Sequence, residues 1–217
     1  MTKDDIVKND LIKEIRTFTE ADDHDYDEYF FNLKHPGMLP WGKTYGKKVE
    51  LSDWNKSQLE IYFNKVSSKA KAILEIGVCR NEDKSSTWTF INNKNPDACY
   101  FGVDIEDKSF LDDESNNVFT MKTSSSNINE IMSFVRSKGV EKFDFIFIDG
   151  WHSINQVLDD WRFTQFLNDG GIVGLHDTNC HPGPMLFVDN LDTNKFNVDK
   201  KCTTWLVDYG ISFVSRK

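Results

Sequence analysis

The chain has 217 residues, of which 39% are hydrophobic and 28% charged, and its formal net charge is −9. This length and composition predict one soluble domain with a substantial core, and no apolar run is long enough to span a membrane. The charged N-terminus lacks the apolar stretch of a secretory signal, so a cytoplasmic location is the default expectation. The acidic balance argues against nucleic acid as a partner, because nucleic-acid-binding proteins usually carry a basic patch.

The cysteines lie far apart and form no CxxC pair: Cys79, Cys99, Cys180 and Cys202. This spacing matches neither a zinc framework nor a disulfide scaffold. We therefore expect reduced thiols with a mainly structural role.

The N-terminal third, residues 1–69, is predicted to be a helical arm. Residues 4–19 place apolar side chains at helical spacing, whereas residues 20–48 show no period and contain two prolines and three glycines. That irregular stretch is either a surface loop or a flap over a substrate. Ser52 can cap a second helix, whose apolar face consists of Leu59, Tyr62, Phe63 and Val66.

From residue 70 to 217, strand-like and helical patterns alternate, which indicates that this part forms the main domain, a doubly wound, mostly parallel α/β sheet. The predicted strands cover residues 72–78, 99–105, 117–123, 143–148 and 172–177. The predicted helices include residues 85–93, one that starts with a capping-box pair at Asn127 and Glu130, and one that starts at Ser153 with Gln156.

The last helix before the fifth strand is expected to end at the pair Gly170–Gly171. After it, the segments 203–210 and 211–217 are both strand-like, with little room between them for a helix. They predict an antiparallel hairpin that closes the sheet edge.

Two strand ends carry residues suited to a nucleotide-like ligand. The first strand ends in Glu75 and Gly77, and a glycine there lets a ligand approach the backbone closely. Asp104, at the end of the second strand, is placed to accept hydrogen bonds from two ribose hydroxyls. No further glycine follows Gly77 before Gly102, so the G-x-G-x-x-G fingerprint of nicotinamide and flavin enzymes is missing.

The segment Phe143–Ser153 is a buried-strand pattern that ends in an acid, a glycine, an indole and an imidazole. Open α/β sheets bind ligands beyond the carboxyl ends of their strands. Asp149, Trp151 and His152 are therefore expected at the mouth of a site.

The segments AILEIGV, YFGVDI, FDFIFIDGWHS and GGIVGLHDT, taken in this order, resemble a class I S-adenosylmethionine-dependent methyltransferase. Within that superfamily they are most similar to the small-molecule O-methyltransferases with an IDG-x-H, GG, HD signature. The resemblance covers roughly residues 70–217 and implies the Rossmann-like methyltransferase fold. The chain departs from the family in the loop after Gly77, where RNEDKSS stands in place of a second glycine.

The resemblance implies S-adenosyl-L-methionine as the cofactor. The positions that it places around the cofactor are Glu75, Gly77, Val78, Asp104, Ile105, Thr123, Ser124, Asp149 and Trp151. Among these, Glu75 and Gly77 would line the methionine side and Asp104 would bind the ribose. Ile105 and Trp151 would pack on the adenine.

Asp149 and Asp177 end neighbouring predicted strands, so their carboxylates can converge. Two hard oxygen ligands beside a substrate hydroxyl suit Mg²⁺. The context resembles the metal-dependent catechol-type O-methyltransferases, which implies Thr178 as the third position of the metal site, although that family has Asn there. Alternatively, Asp177 caps the next loop and Asp149 bonds only to backbone.

His152 lies three residues after Asp149, where the catechol-type enzymes hold a lysine that acts as general base. A neutral imidazole can take a proton from a hydroxyl near pH 7, so His152 is the leading candidate for the base. The alternative is a histidine that caps the following helix. His176 and His181 are weaker candidates for the same role. Asp149 is the second catalytic candidate, because the resemblance places it near the sulfonium and the incoming substrate.

These observations predict a methyltransferase that moves a methyl group to a hydroxyl of a small molecule, with Mg²⁺ as a candidate second cofactor. A non-catalytic binding module and, less favoured, a nicotinamide-dependent oxidoreductase are the alternatives. The sequence indicates neither the acceptor nor the oligomeric state.

Overall fold

The computed structural model describes residues 1–12, 53–78, 85–179, 181–201 and 209–217. Its helices are α1 (Lys3–Asn9), α2 (Asp53–Ser67), α3 (Ser86–Asn93), α4 (Ile128–Ser137), α5 (Ile154–Trp161) and α6 (Pro182–Asn190). Its strands are β1 (Ala72–Ile76), β2 (Cys99–Asp104), β3 (Val118–Lys122), β4 (Phe143–Ile148), β5 (Leu167–His176), β6 (Phe196–Lys201) and β7 (Ile211–Arg216). Short 3-10 helices cover Ser109–Leu111, Glu114–Asn116 and Arg162–Phe166.

Within the described residues, no helix is long and apolar enough to cross a bilayer. The predicted flap at 20–48 and the cap at Ser52 lie outside the described residues.

One seven-stranded sheet organises the fold, with the strand order β3-β2-β1-β4-β5-β7-β6. Strands β1 to β5 pair in parallel, and β7 runs antiparallel to both β5 and β6. The predicted mostly parallel α/β sheet with an antiparallel C-terminal pair is thus confirmed. Because β1, β4 and β5 are neighbours, their carboxyl ends meet at one edge of the sheet.

Hydrophobic clusters cover both faces of the sheet, as a doubly wound architecture requires. On one face, Leu59 and Phe63 of α2 and Phe90 of α3 pack on β4. The other face buries α4 and α5 in a larger cluster, which also includes Ile6 of α1 and Phe187 of α6. The predicted stripe of α5 is confirmed, since its members are all at most 3% exposed: Ile154, Val157, Leu158 and Trp161.

The first helix is shorter than predicted. It ends at Asn9, and Leu11 forms an isolated bridge with Leu191 instead of a further helical turn. The amide of Ile12 donates to the carbonyl of Asn190, so backbone contacts with the end of α6 replace the helical ones. Residues 13–19 of the predicted helix lie outside the described residues.

Gly170–Gly171 does not end a helix. Helix α5 ends at Trp161, a 3-10 turn follows, and β5 already begins at Leu167. The glycines lie inside this strand, where the pairing register with β4 shifts between Phe143 and Phe145. Gly170 has a φ of +76°, and a Cβ on Gly171 would lie 2.8 Å from Leu167, so the pair permits the irregularity.

Two further details differ from the sequence prediction. The first strand of the C-terminal hairpin is β6, residues 196–201, whereas most of the segment 203–210 lies outside the described residues.

The capping box at Asn127 does not form, because the Asn127 side chain makes no cap hydrogen bond and the Glu130 carboxylate accepts from the Thr123 hydroxyl. At Ser153 the cap does form, with its hydroxyl accepting from the amide of Gln156.

Candidate active site

The ends of β4 and β5 bring two acids and an imidazole together. Ile148 pairs with Leu175, so the next residues of the two strands, Asp149 and His176, lie side by side. His176 Nδ1 is 3.1 Å from Asp149 Oδ1 and 3.4 Å from Asp177 Oδ1. Asp149 and Asp177 thus converge around His176, which from the sequence was a weaker candidate than His152.

His176 is buried, at 3% exposure, but its surroundings favour the charged form. Burial by itself lowers the pKa of an imidazole. The nearby carboxylates of Asp177 and Asp149 outweigh that effect and hold the pKa of His176 well above its usual value. The two carboxylates at the ends of β4 and β5 therefore favour the protonated form of His176.

Asp177 connects His176 to His152. Its Oδ2 lies 2.7 Å from His152 Nε2, while its Oδ1 faces His176. Burial alone would raise the pKa of this carboxyl, but the imidazoles of His176, His152 and His181 together lower it well below its usual value. Asp177 also adopts a left-handed backbone conformation, with φ at +59°, which a non-glycine residue seldom does.

His152 and His181 lie face to face, with ring centroids 3.8 Å apart and planes inclined by 18°. Trp151 is nearly parallel to His152, with centroids 6.5 Å apart. The approach of α6 depends on Gly183, whose amide donates to the His152 carbonyl and whose Cβ, if present, would lie 2.1 Å from that oxygen. A small pocket opens beside these rings, lined by Asp149, Trp151, His152, His176 and Pro184.

Gly77 lies against the backbone of β4. It has a φ of +84°, and a Cβ there would lie 2.0 Å from the carbonyl oxygen of Asp149. Its amide donates to Val103, and the amide of Asp149 donates to Ile76. Any larger residue at position 77 would force the β1 and β4 ends apart.

Asp104 holds the turn after β1. Its Oδ2 accepts from the amide of Val78 at 2.8 Å, and its Oδ1 accepts from the amide of Glu106 at 2.8 Å. The next residue, Ile105, is 74% exposed, and Trp151 across the edge is 44% exposed. Two large apolar side chains therefore border the β2 and β4 ends without being buried.

Glu75 does not face an open pocket. It is fully buried, and hydroxyls of Ser86, Thr87 and Tyr100 donate to its carboxyl, with Thr87 at 2.7 Å. Burial raises the pKa of Glu75 to about 7, although these hydrogen bonds oppose it. The residue joins β1 to β2 and to the start of α3.

The remaining predicted positions lie at two separate places along the carboxyl edge, one beside the end of β2 and one after β5. Thr123 lies beside the β2 end, where its amide donates to the Asp104 carbonyl at 2.9 Å, and Ser124 follows it with its hydroxyl accepting from the amide of Ser126. Thr178, in contrast, shares a hydrogen bond with the Ser212 hydroxyl at 2.8 Å and is thereby held toward β7.

Mg²⁺ strongly prefers an all-oxygen environment. Here the nitrogen of His176 lies between the two carboxylates, and the hydroxyl of Thr178 is engaged with Ser212. Asp149, Asp177 and Thr178 therefore do not present the donor set that Mg²⁺ favours.

No family model and no curated protein matches the chain. Solved methyltransferase structures are similar to it. For the MycE methyltransferase from the mycinamycin biosynthetic pathway, in complex with Mg and SAH, the TM-score is 0.55 at 16% identity, covering 78% of this chain and 51% of that chain. MycE has also been solved with mycinamycin VI. The present chain thus spans about half the length of MycE.

Two further structures have the same architecture. A putative rRNA methylase from Clostridium thermocellum gives a TM-score of 0.56 at 16% identity, covering 79% of this chain and 100% of that chain. CalS11, a calicheamicin methyltransferase, gives 0.51 at 10% identity, covering 74% and 77%. These similarities establish the fold: the chain adopts the Rossmann-like fold of class I methyltransferases.

Proposed function

We propose that the chain transfers the methyl group of S-adenosyl-L-methionine to a hydroxyl of a small molecule, with His152 as the general base and Asp177 as the residue that positions it. The observation that carries this proposal is the 2.7 Å contact between His152 Nε2 and Asp177 Oδ2 at the carboxyl edge of the sheet. Ligands of open α/β sheets bind at this edge.

The His152–Asp177 pair supplies the proton transfer. A carboxylate that accepts from Nε2–H favours the tautomer with its lone pair on Nδ1, and it stabilises the imidazolium that forms when that nitrogen takes a proton. The acceptor oxygen attacks the methyl carbon, the carbon–sulfur bond breaks, and its electron pair stays on sulfur as S-adenosylhomocysteine forms. The hydroxyl proton goes to His152. The remaining task of the site is alignment of oxygen, carbon and sulfur.

We propose that the cofactor binds at the carboxyl ends of β1, β2 and β4. Each carboxylate oxygen of Asp104 accepts one amide, and the remaining lone pairs can accept from ribose hydroxyls. Ile105 and Trp151 offer exposed apolar surface for the adenine, next to Thr123 and Ser124. The backbone at Gly77 and Val78 would lie along the methionine part, with Glu75 supporting it from below.

A small-molecule acceptor is favoured over RNA by charge. The solved relatives include both kinds, since MycE was crystallised with mycinamycin VI while others are described as rRNA methylases. The formal net charge of −9 is unfavourable for binding a phosphate backbone. No step of the proposal passes through Mg²⁺, because the donor set does not fit that ion.

Calorimetric titration with S-adenosylhomocysteine tests the cofactor part, and the expected result is one binding site per chain. Absence of binding by the wild type would overturn the proposal. Binding of NADH instead would favour an oxidoreductase. Cofactor binding without turnover on any hydroxyl compound of a broad panel would favour a binding module.

Substitutions at His152 test the base. His152→Gln should lower the turnover rate by about 10²–10⁴-fold while the affinity for S-adenosylhomocysteine stays unchanged. His152→Lys is the matched control, since an amine also accepts a proton; it should recover part of the rate, with the pH profile displaced to higher pH. Full activity of His152→Gln would exclude His152 as the base.

A further inference from the structure

We propose that His152, Asp177 and His181 form a binding site for a divalent transition ion such as Zn²⁺, and that the bound ion inhibits methyl transfer. The ligand atoms of these three side chains lie within 4.8 Å of one another. The binding part stands on the donor set alone, whereas the inhibition rests on the proposed role of His152 as the base.

The donor set selects the kind of ion. Two imidazoles and one carboxylate are typical ligands of Zn²⁺, and imidazole also suits Ni²⁺ and Cu²⁺. Mg²⁺ takes oxygen ligands and keeps several waters, so it gains little from two nitrogens. This triad therefore favours a transition ion over the Mg²⁺ that the sequence suggested.

The spacing requires little rearrangement. Ligands at about 2.0–2.2 Å from a Zn²⁺ ion lie roughly 3–4 Å from each other. The contact between His152 Nε2 and Asp177 Oδ2, at 2.7 Å, has to open by roughly 0.3–1.3 Å. The ring centroids of His152 and His181 are 3.8 Å apart, so a modest rotation of the rings can direct a nitrogen of each toward one ion.

His176 can hold the Asp177 carboxylate of the triad in place, and an ion can reach the triad from solvent. The second oxygen of Asp177 faces His176 Nδ1 at 3.4 Å, a contact that can hold the carboxylate in place as outer-sphere partners of metal ligands do. Asp177 and His181 are buried, while the side chain of His152 is 23% exposed. An ion can therefore reach the site past His152.

A second group of candidate ligands, Asp149, His176 and Asp177, shares Asp177 with the first. It has one imidazole instead of two, and its central nitrogen already contacts both carboxylates. The side chain of Asp149 is 25% exposed, so solvent reaches this group too, and the donor set decides between the two groups. We therefore assign the ion to the triad that contains His152 and His181.

Binding of the ion would prevent His152 from acting as the base. An ion on Nε2 of a neutral imidazole leaves the proton on Nδ1. His152 then has no lone pair with which to accept the hydroxyl proton, and Asp177 no longer polarises it. We expect Zn²⁺ to act as an inhibitor whose effect is reversed by a chelator.

Calorimetric titration of Zn²⁺ into the metal-free full chain measures the affinity and stoichiometry of the site, and it does not depend on methyl transfer. The absorption spectrum of the Co²⁺ form reports nitrogen ligation. One ion per chain is expected, and His181→Asn should weaken binding by at least about tenfold. Asp149→Asn is the matched control, because it alters only the second group and should leave the affinity unchanged. Cys180→Ser should also retain binding.

Weaker binding in Asp149→Asn but not in His181→Asn would overturn the assignment, as would the absence of Zn²⁺ binding by the wild type. Inhibition is then compared between the wild type and His181→Asn, each relative to its own metal-free rate. Zn²⁺ should inhibit only the wild type at low concentration, and equal inhibition would contradict the inference. A failure to bind S-adenosylhomocysteine would sink the proposed function but leave the Zn²⁺ titration intact.

Discussion

Glu75 and Asp177 are both carboxylates buried at strand ends of the same sheet, yet their charges differ. Glu75 is fully buried at the end of β1, and the pKa of its carboxyl is raised to about 7. Asp177 is 6% exposed after β5, and its pKa is held well below its usual value. Burial raises the pKa in both, so burial does not explain the difference.

The difference comes from the neighbours. Glu75 is surrounded by hydroxyls, which donate hydrogen bonds but carry no charge. Asp177 is surrounded by imidazoles, which can carry a positive charge. At the β1 end the sheet edge thus has a carboxyl that is partly protonated at pH 7 and ties elements together. At the β5 end it has an ionised carboxylate beside imidazoles, which is suited to proton transfer.

The same substitution at both acids should give the largest contrast. Asp177→Asn removes the buried carboxylate that contacts both His152 and His176, and breaking a buried ion pair costs about 3–5 kcal/mol. Glu75→Gln resembles the protonated form, which is the more stable form at this buried site, so it should leave the unfolding free energy at pH 7 unchanged or raise it. Urea unfolding at pH 7 measures both. Equal losses of unfolding free energy would show that the two ends do not differ in charge.

Gly77 sets the separation between the carboxyl ends of β1 and β4. Gly77→Ala combines a left-handed backbone with a Cβ placed against the Asp149 carbonyl, and should cost about 2–4 kcal/mol. Gly139 provides the control: its φ is +80°, but a Cβ there meets nothing within 4 Å. Gly139→Ala should cost only about 1 kcal/mol. Thermal denaturation of both variants tests this, and similar costs would mean that the contact at Asp149 is not restrictive.

Much of this sheet was predictable from local pattern. The strands β1 and β4 are almost wholly apolar, and the stripe of α5 has helical spacing, so the sequence indicates their burial and order. The end of α1 was not predictable, because backbone contacts between distant residues, Ile12 and Asn190, replace its next turn. Such contacts leave no trace in local periodicity.

The site was predictable only in part. The convergence of Asp149 and Asp177 follows from neighbouring parallel strands, but the position of His181 depends on how closely α6 approaches, which Gly183 permits. The structural role of Glu75 could have been predicted from the sequence. An acid inside a fully buried strand needs donors, and Ser86 and Thr87 follow at the start of the next helix.

The raised pKa of Glu75 predicts a pH dependence with a definite sign. Between about 4.5 and 7 the folded state binds a proton at Glu75 that the unfolded state releases, so this group makes stability fall as pH rises and contributes no slope above 7. Glu75→Gln should remove up to about 3 kcal/mol of that fall. Urea unfolding from pH 5 to 8 measures the slope. Glu141→Gln, at an exposed side chain, should leave the slope unchanged, and an unchanged slope in Glu75→Gln would refute the assignment.

Removing a single donor from Glu75 should have the smallest effect. Tyr100→Phe deletes one of the three hydroxyls that donate to this carboxyl, at a cost of about 1 kcal/mol. Because that hydrogen bond lowers the pKa of Glu75, its loss should raise the pKa further and move the pH-dependent fall in stability to higher pH. Phe163→Leu, a change in the core away from Glu75, is the control for packing and should lower stability without moving this midpoint. A midpoint that stays in place in Tyr100→Phe would mean that desolvation alone sets the charge of Glu75.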